Sequence, residues 1–292
     1  MSRAIWSTAV LAALILAHQA RADDVVYDSI PSPLPTNLPS DGYEATSAAE
    51  FGDAVTLGGS VRNVTTVTVG LSDWALASTY AAQIAAATPG SDGVVYTATG
   101  FTMPMTMNLY NTGPVNPLNN PGGQPSVGAL IATQTIQATI AWRPEATAGC
   151  GSGFAIGNGP CYNGLAQTVT FNFGGMLVPD SLVWGLAFNT TDHGYAPTGI
   201  PGAYDSLNIA LNDITGPSVG TDIDPDSVEW NTSYAGFLTN PGPGQTNVFG
   251  PDTGWTPYVP AVTISAVPEP ASMTLLGAGL LGLAAARRKR CG

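Results

Sequence analysis

The densest set of hard oxygen donors in this 292-residue chain is a short run in its C-terminal third, GTDIDPDSVE. Asp222, Asp224 and Asp226 stand at alternate positions and Glu229 follows, with no Lys or Arg near enough in sequence to neutralise them. Carboxylates in such a pattern are the ligands Ca²⁺ prefers. The stretch is not an EF-hand loop, because Ser227 occupies the glycine position, Pro225 stiffens the turn, and the glutamate comes too early. Two readings remain: a calcium loop of another type, or an Asp/Pro turn entering a strand at Ser227 with the Asp side chains closing Asx turns.

Other chemistry is sparse. Residues 23–266 contain one histidine, His193, and no lysine, and they lack a G-x-S-x-G elbow, an HExxH pair and a P-loop. Most acid–base and Schiff-base schemes need those groups. Paired carboxylates could cleave glycosides, but so many acids make some pair inevitable. The expectation is a protein that is not an enzyme, with an extracellular hydrolase as a distant third reading. Among the tryptophans, Trp74 and Trp255 lie near turn residues and are the candidates for stacking on sugar rings, whereas Trp184 in LVWGLAF reads as core. Calcium-assisted carbohydrate binding is therefore the alternative to a structural or adhesive role. Cys150 and Cys161 share a Gly-rich loop without a neighbouring histidine, which predicts a disulfide rather than a metal site.

These residues must be positioned by strands. Short stretches rich in β-branched and aromatic residues, separated by Gly/Pro/Asn/Asp clusters, recur over residues 53–57, 64–71, 101–110, 130–142, 167–173, 182–189, 204–211, 227–234 and 257–265. In VTTVTVGL the period of two places Thr65, Val67, Val69 and Leu71 on the core face. In SLNIAL, Leu207, Ile209 and Leu211 point in and Ala210 points out. One dry and one wet face per strand predicts an all-β fold, an antiparallel jelly-roll-like β-sandwich over residues 43–266 with long Gly/Pro-rich loops. Those loops cover residues 111–128, the cysteine loop and the stretch after Thr239. Residues 23–42, with four prolines between 31 and 39, read as an extended arm over the domain or a loose lead-in.

Between residues 23 and 266 only Arg62 and Arg143 are basic, against 19 acidic residues, a formal charge near −17. That balance excludes nucleic acid and anionic lipid headgroups as partners of the domain. The remaining basic residues lie in the targeting segments. Residues 1–22 have a basic start, an apolar run and an Ala20-Arg21-Ala22 site, the pattern of a secretory signal peptide. At the other end, residues 267–292 place Pro268-Glu269-Pro270 before an uncharged apolar run, residues 271–286, and a basic stop, Arg287, Arg288, Lys289 and Arg290. As a helix the run spans roughly 24 Å, short for a hydrocarbon core of about 30 Å. The basic cluster sets its orientation, with the domain outside.

This tail resembles the PEP-CTERM sorting signal. The resemblance implies recognition and cleavage near Pro268, Glu269 and Pro270 by an exosortase, a membrane-embedded cysteine transpeptidase. It also implies a single transient C-terminal transmembrane helix and delivery to the cell envelope or an extracellular polysaccharide matrix.

Overall fold

The computed structural model describes residues 23–46, 48–115, 125–192, 194, 197–212, 216–223, 227–232, 248–253 and 258–268. In chain order the elements are β1 (Asp24–Asp28), β2 (Ser40–Gly42), α1 (Tyr43–Thr46), β3 (Ala48–Thr56) and β4 (Asn63–Asp73), then a 3-10 turn (Ala77–Tyr80) leading into α2 (Ala81–Ala86). Next come β5 (Val95–Thr97), β6 (Gly100–Val115), β7 (Pro125–Ala141), β8 (Leu165–Leu177) and β9 (Ser181–Ala187). A second 3-10 turn (Ala203–Ser206) precedes β10 (Leu207–Asn212), β11 (Thr221–Asp222), β12 (Ser227–Thr232), β13 (Val248–Thr253), β14 (Val259–Pro260) and β15 (Val262–Val267).

All the strand pairs are antiparallel and form two sheets. The first runs β1-β15-β4-β10-β14, with β8 on the other edge of β4 and β2 on β10. The second runs β13-β12-β3-β9-β6-β5, with β7 on β6 and β11 on β3. Val67, Val69 and Leu71 of β4, Phe171 and Ile264 join Phe51, Trp184, Leu186 and the Met103, Met105, Met107 row in one buried core. Each large apolar side chain so enclosed stabilises the fold by about 1.5–3 kcal/mol. Trp142 is also enclosed, stacked with Tyr80 and Tyr96 at centroid distances of 5.6 and 6.2 Å. The outward faces carry threonine pairs, with Oγ atoms of Thr102 and Thr139, and of Thr106 and Thr135, 2.8 Å apart.

The alternation read from the sequence fails in two places, each for a local reason. Val64 is buried and Thr65 turns outward, its hydroxyl donating to Asp23 at 2.7 Å. Against β15, Ser265 lies opposite Thr66 and Ala266 opposite Val64, so Thr65 is the extra residue of a bulge and the parity changes there. Ala210 is buried as well as Leu207, Ile209 and Leu211. Its face is covered by Leu38, Ala166 and Ala261.

The proline-rich lead-in supplies that cover and more. Asp24–Asp28 pairs with β15 from Asp24 opposite Ala266 to Asp28 opposite Thr263. Farther on, the Thr36 carbonyl accepts from Ala166 N–H at 2.8 Å and the Pro39 carbonyl from Leu211 N–H at 2.7 Å. The stretch read as one loop over residues 111–128 is partly strand, because β6 continues to Val115 and β7 begins at Pro125. No helix among the described residues is long and apolar enough to cross a membrane, and residues 271–286 lie outside them.

Candidate functional site

The acidic run folds back onto β3. Asp222 pairs with Val55 and Thr221 with Thr56, and the Ile223 N–H donates to the Ala54 carbonyl at 3.2 Å. Opposite residues share a face and alternate ones share it too, so Asp222 lies on the side of Asp53 and Val55, facing the core. Both carboxylates are buried. Tyr27 reaches them from the first sheet, and its phenol is pushed well above its ordinary range, by burial first and then by the charges of Asp53 and Asp222. Gly220 makes the approach possible, with φ +79° and its Cα so close that a Cβ would stand 2.7 Å from both the Thr56 carbonyl oxygen and Tyr27 Cδ2. Asp224 and Asp226 lie outside the described residues, as do Trp255 and His193, and Glu229 is placed by its backbone in β12 opposite Gly52 and Pro251. Among the described residues, no three His, Cys, Asp or Glu side chains converge as a metal site.

A second buried acid occupies the opposite face of β3. The Glu50 carboxylate accepts from Asn108 Nδ2 at 3.0 Å and from the Tyr110 hydroxyl at 2.9 Å. It lies across Gly185, where a Cβ would come within 2.1 Å of Glu50 Oε1. Burial raises its pKa, and the two donors oppose that rise. Enclosed in this way, Glu50 ties β3, β9 and β6 together.

The third acid, Asp73, ends β4 and accepts from the Ala75 N–H at 3.2 Å. Burial pushes its pKa up to about 8 against that bond and the nearby Arg143. Arg143, itself buried, donates to the carbonyls of Trp74, Ser152 and Asn163 at 3.1, 2.7 and 3.1 Å. It thereby fastens the cysteine loop, which the Cys150–Cys161 disulfide closes with a Cα–Cα distance of 5.4 Å. Beside it stands Trp74, 43 % exposed, its indole N–H donating to Ser72 Oγ at 3.2 Å while Ser72 donates to Asn37 at 3.0 Å. An exposed indole fixed by its edge offers a flat apolar surface with polar groups at its margin.

The last described strand ends at one corner of the first sheet. Val267 of β15 pairs with Asn63, which pairs in turn with Leu177. Pro268 follows at once and lines a cavity of about 590 Å³ with Val61, Arg62, Leu177 and Pro179 among its walls. Arg62 braces this corner: Nε donates to Asp180 at 2.7 Å, and the guanidinium also reaches the carbonyls of Leu57, Gly58, Gly59 and Val61. Glu269, Pro270, Arg287, Arg288, Lys289 and Arg290 lie outside the described residues.

The buried acids Asp41, Glu50, Asp53 and Asp73 were not singled out from the sequence. Glu50 and Asp53 stand within the otherwise largely apolar run AAEFGDAVT of β3, and that setting is the signal that marks them. Comparison with known proteins bears on one end of the chain only. The family profile of the PEP-CTERM protein-sorting motif matches residues 266–290. No curated protein and no solved structure matches the chain.

Proposed function

We propose that this chain, which carries a PEP-CTERM protein-sorting motif, is an exported exosortase substrate with a structural or adhesive role in the cell envelope or extracellular polysaccharide matrix. The observation that carries the reading is the motif itself, matched over residues 266–290 and attached directly to the last strand. In this reading residues 1–22 are removed on export. Residues 271–286 then hold the domain at the membrane, with Arg287, Arg288, Lys289 and Arg290 as the inner stop. The exosortase cuts near Pro268-Glu269-Pro270. The two sheets are read as a jelly-roll-like sandwich, displayed rather than catalytic. A residue inventory with one histidine and no lysine from 23 to 266 supports the absence of an enzymatic role. The test is Glu269→Gln in a host with an exosortase. The variant is expected to stay membrane-bound at full length, and release at the wild-type mature mass would overturn the reading.

A second reading, a carbohydrate-binding module, is favoured by the exposure of Trp74 beside Ser72 and Asn37. Loss of a stacking indole lowers sugar affinity by roughly 1–3 kcal/mol, on the scale of aromatic stacking in other ligands. Glycan-array binding of residues 23–268, with and without Ca²⁺, should then weaken at least tenfold in Trp74→Ala. An array silent under both conditions would reject it.

A further inference from the structure

The end of the first sheet at which β15 stops carries exposed apolar side chains. Leu177 is 59 % exposed, Met176 37 % and Val25 44 %, three of the large apolar side chains left in solvent. The registers bring them to one end of the sheet, on the strands β8 and β1 that flank β4 and β15, since Leu177 lies opposite Asn63, Met176 opposite Val64, and Val25 opposite Ser265 two residues before Val267. Pro268 lines the adjoining cavity with Val61 and Pro179.

Length decides what can cover this edge. Only Glu269 and Pro270 separate Pro268 from the apolar run at 271. Three Cα steps reach at most about 11 Å, and the headgroup layer on each side of a bilayer is about 5–8 Å thick. With the run in the bilayer, the domain has no slack to stand off. Charge decides which lipid. Arg62 is engaged by Asp180 and four carbonyls, and Asp23 and Asp24 sit at the same edge, so the face suits neutral headgroups rather than anionic ones.

We propose that Val25, Met176 and Leu177 form a membrane-contact surface that rests on the outer lipid layer while the tail is uncut. This rests on the reading of residues 271–286 as the membrane segment.

The test uses the full chain carrying Cys291→Ser, in phosphatidylcholine vesicles. An environment-sensitive fluorophore is placed through Leu177→Cys or, as a control in the disulfide-closed loop that precedes the far end of β8, Ile156→Cys. Flotation reports anchoring, and quenching by headgroup-labelled lipid reports contact. The label at 177 is expected to be quenched severalfold more than that at 156, less so when phosphatidylglycerol is added. Val25→Ser with Met176→Ser should lower the quenching at 177. A chain that floats but is quenched equally at both positions overturns the contact surface and leaves the anchor intact. Quenching unchanged by the double serine variant also overturns it, because tether length alone would then account for the proximity. A chain that does not float overturns the anchor reading and the surface with it.

Discussion

Asp73 shows how one buried residue sets a property of the whole chain. Its folded-state pKa stands near 8, raised mainly by burial, while an unfolded aspartate titrates at about 3.9. Between those values the folded chain holds a proton that the unfolded chain has lost. The contribution of Asp73 to stability therefore falls as pH rises through about 4 to 8 and levels off above, the reverse of a salt-bridged aspartate. Glu50, also raised by burial, acts in the same direction. Asp73→Asn removes the titration while keeping the side chain's size. Thermal melts across this range should show the variant gaining on the wild type as pH increases. Parallel curves for the two proteins would mean that Asp73 ionises normally in the fold.

At the scale of elements, the cysteine loop is held twice, by the disulfide and by the Arg143 contacts to Ser152 and Asn163. A bridge closing a loop of sequence separation 11 limits the unfolded chain and is worth about 2–3 kcal/mol on loop-closure entropy. Cys150→Ser with Cys161→Ser should lower the unfolding free energy by about that amount in denaturant titrations, and reductant should mimic it. A loss near zero would show that Arg143 suffices to fix the loop. The elements also mark where sequence reasoning reached its limit. Parity in 207–211 identified Leu207, Ile209 and Leu211 as core because adjacent residues of a strand face opposite ways. It could not reveal that the other face would be covered by Leu38 and Ala261, which depends on contacts remote in sequence. It misplaced Thr65 because a bulge leaves no mark in the residue types that adopt it. Asp24–Asp28 was hidden by the prolines that follow it, although DVVYD has the composition of a strand. For the candidate sites the tail was the readable part, because Pro-Glu-Pro, an apolar run and a basic stop are ordered along the chain. The convergence of Asp53, Asp222 and Tyr27 was not, since three separate strands bring them together.

At the scale of the molecule, both ends of the folded domain lie at one edge. Asp24 pairs with Ala266, Asp23 accepts from Thr65, and Pro268 departs beside Asn63. The strand that carries the sorting tail is therefore an interior one, held between β1 and β4. Because β15 is held on both sides, β1 becomes part of what keeps the segment before Pro268 in place. Tyr27 and Val26 of β1 are buried, and the Val26 carbonyl accepts from Gly58 N–H at 2.6 Å. Deleting residues 23–28 would expose that apolar area and leave β15 as an edge. The expected cost is on the order of 3–6 kcal/mol, from two large buried side chains at about 1.5–3 kcal/mol each. Chemical denaturation of chains 23–268 and 29–268 measures it directly. The same deletion in the exported full chain should make the segment around Val262–Val267 susceptible to general proteases, giving cuts upstream of Pro268. Equal stability and an unchanged cut position would mean that β15 is held by β4 alone.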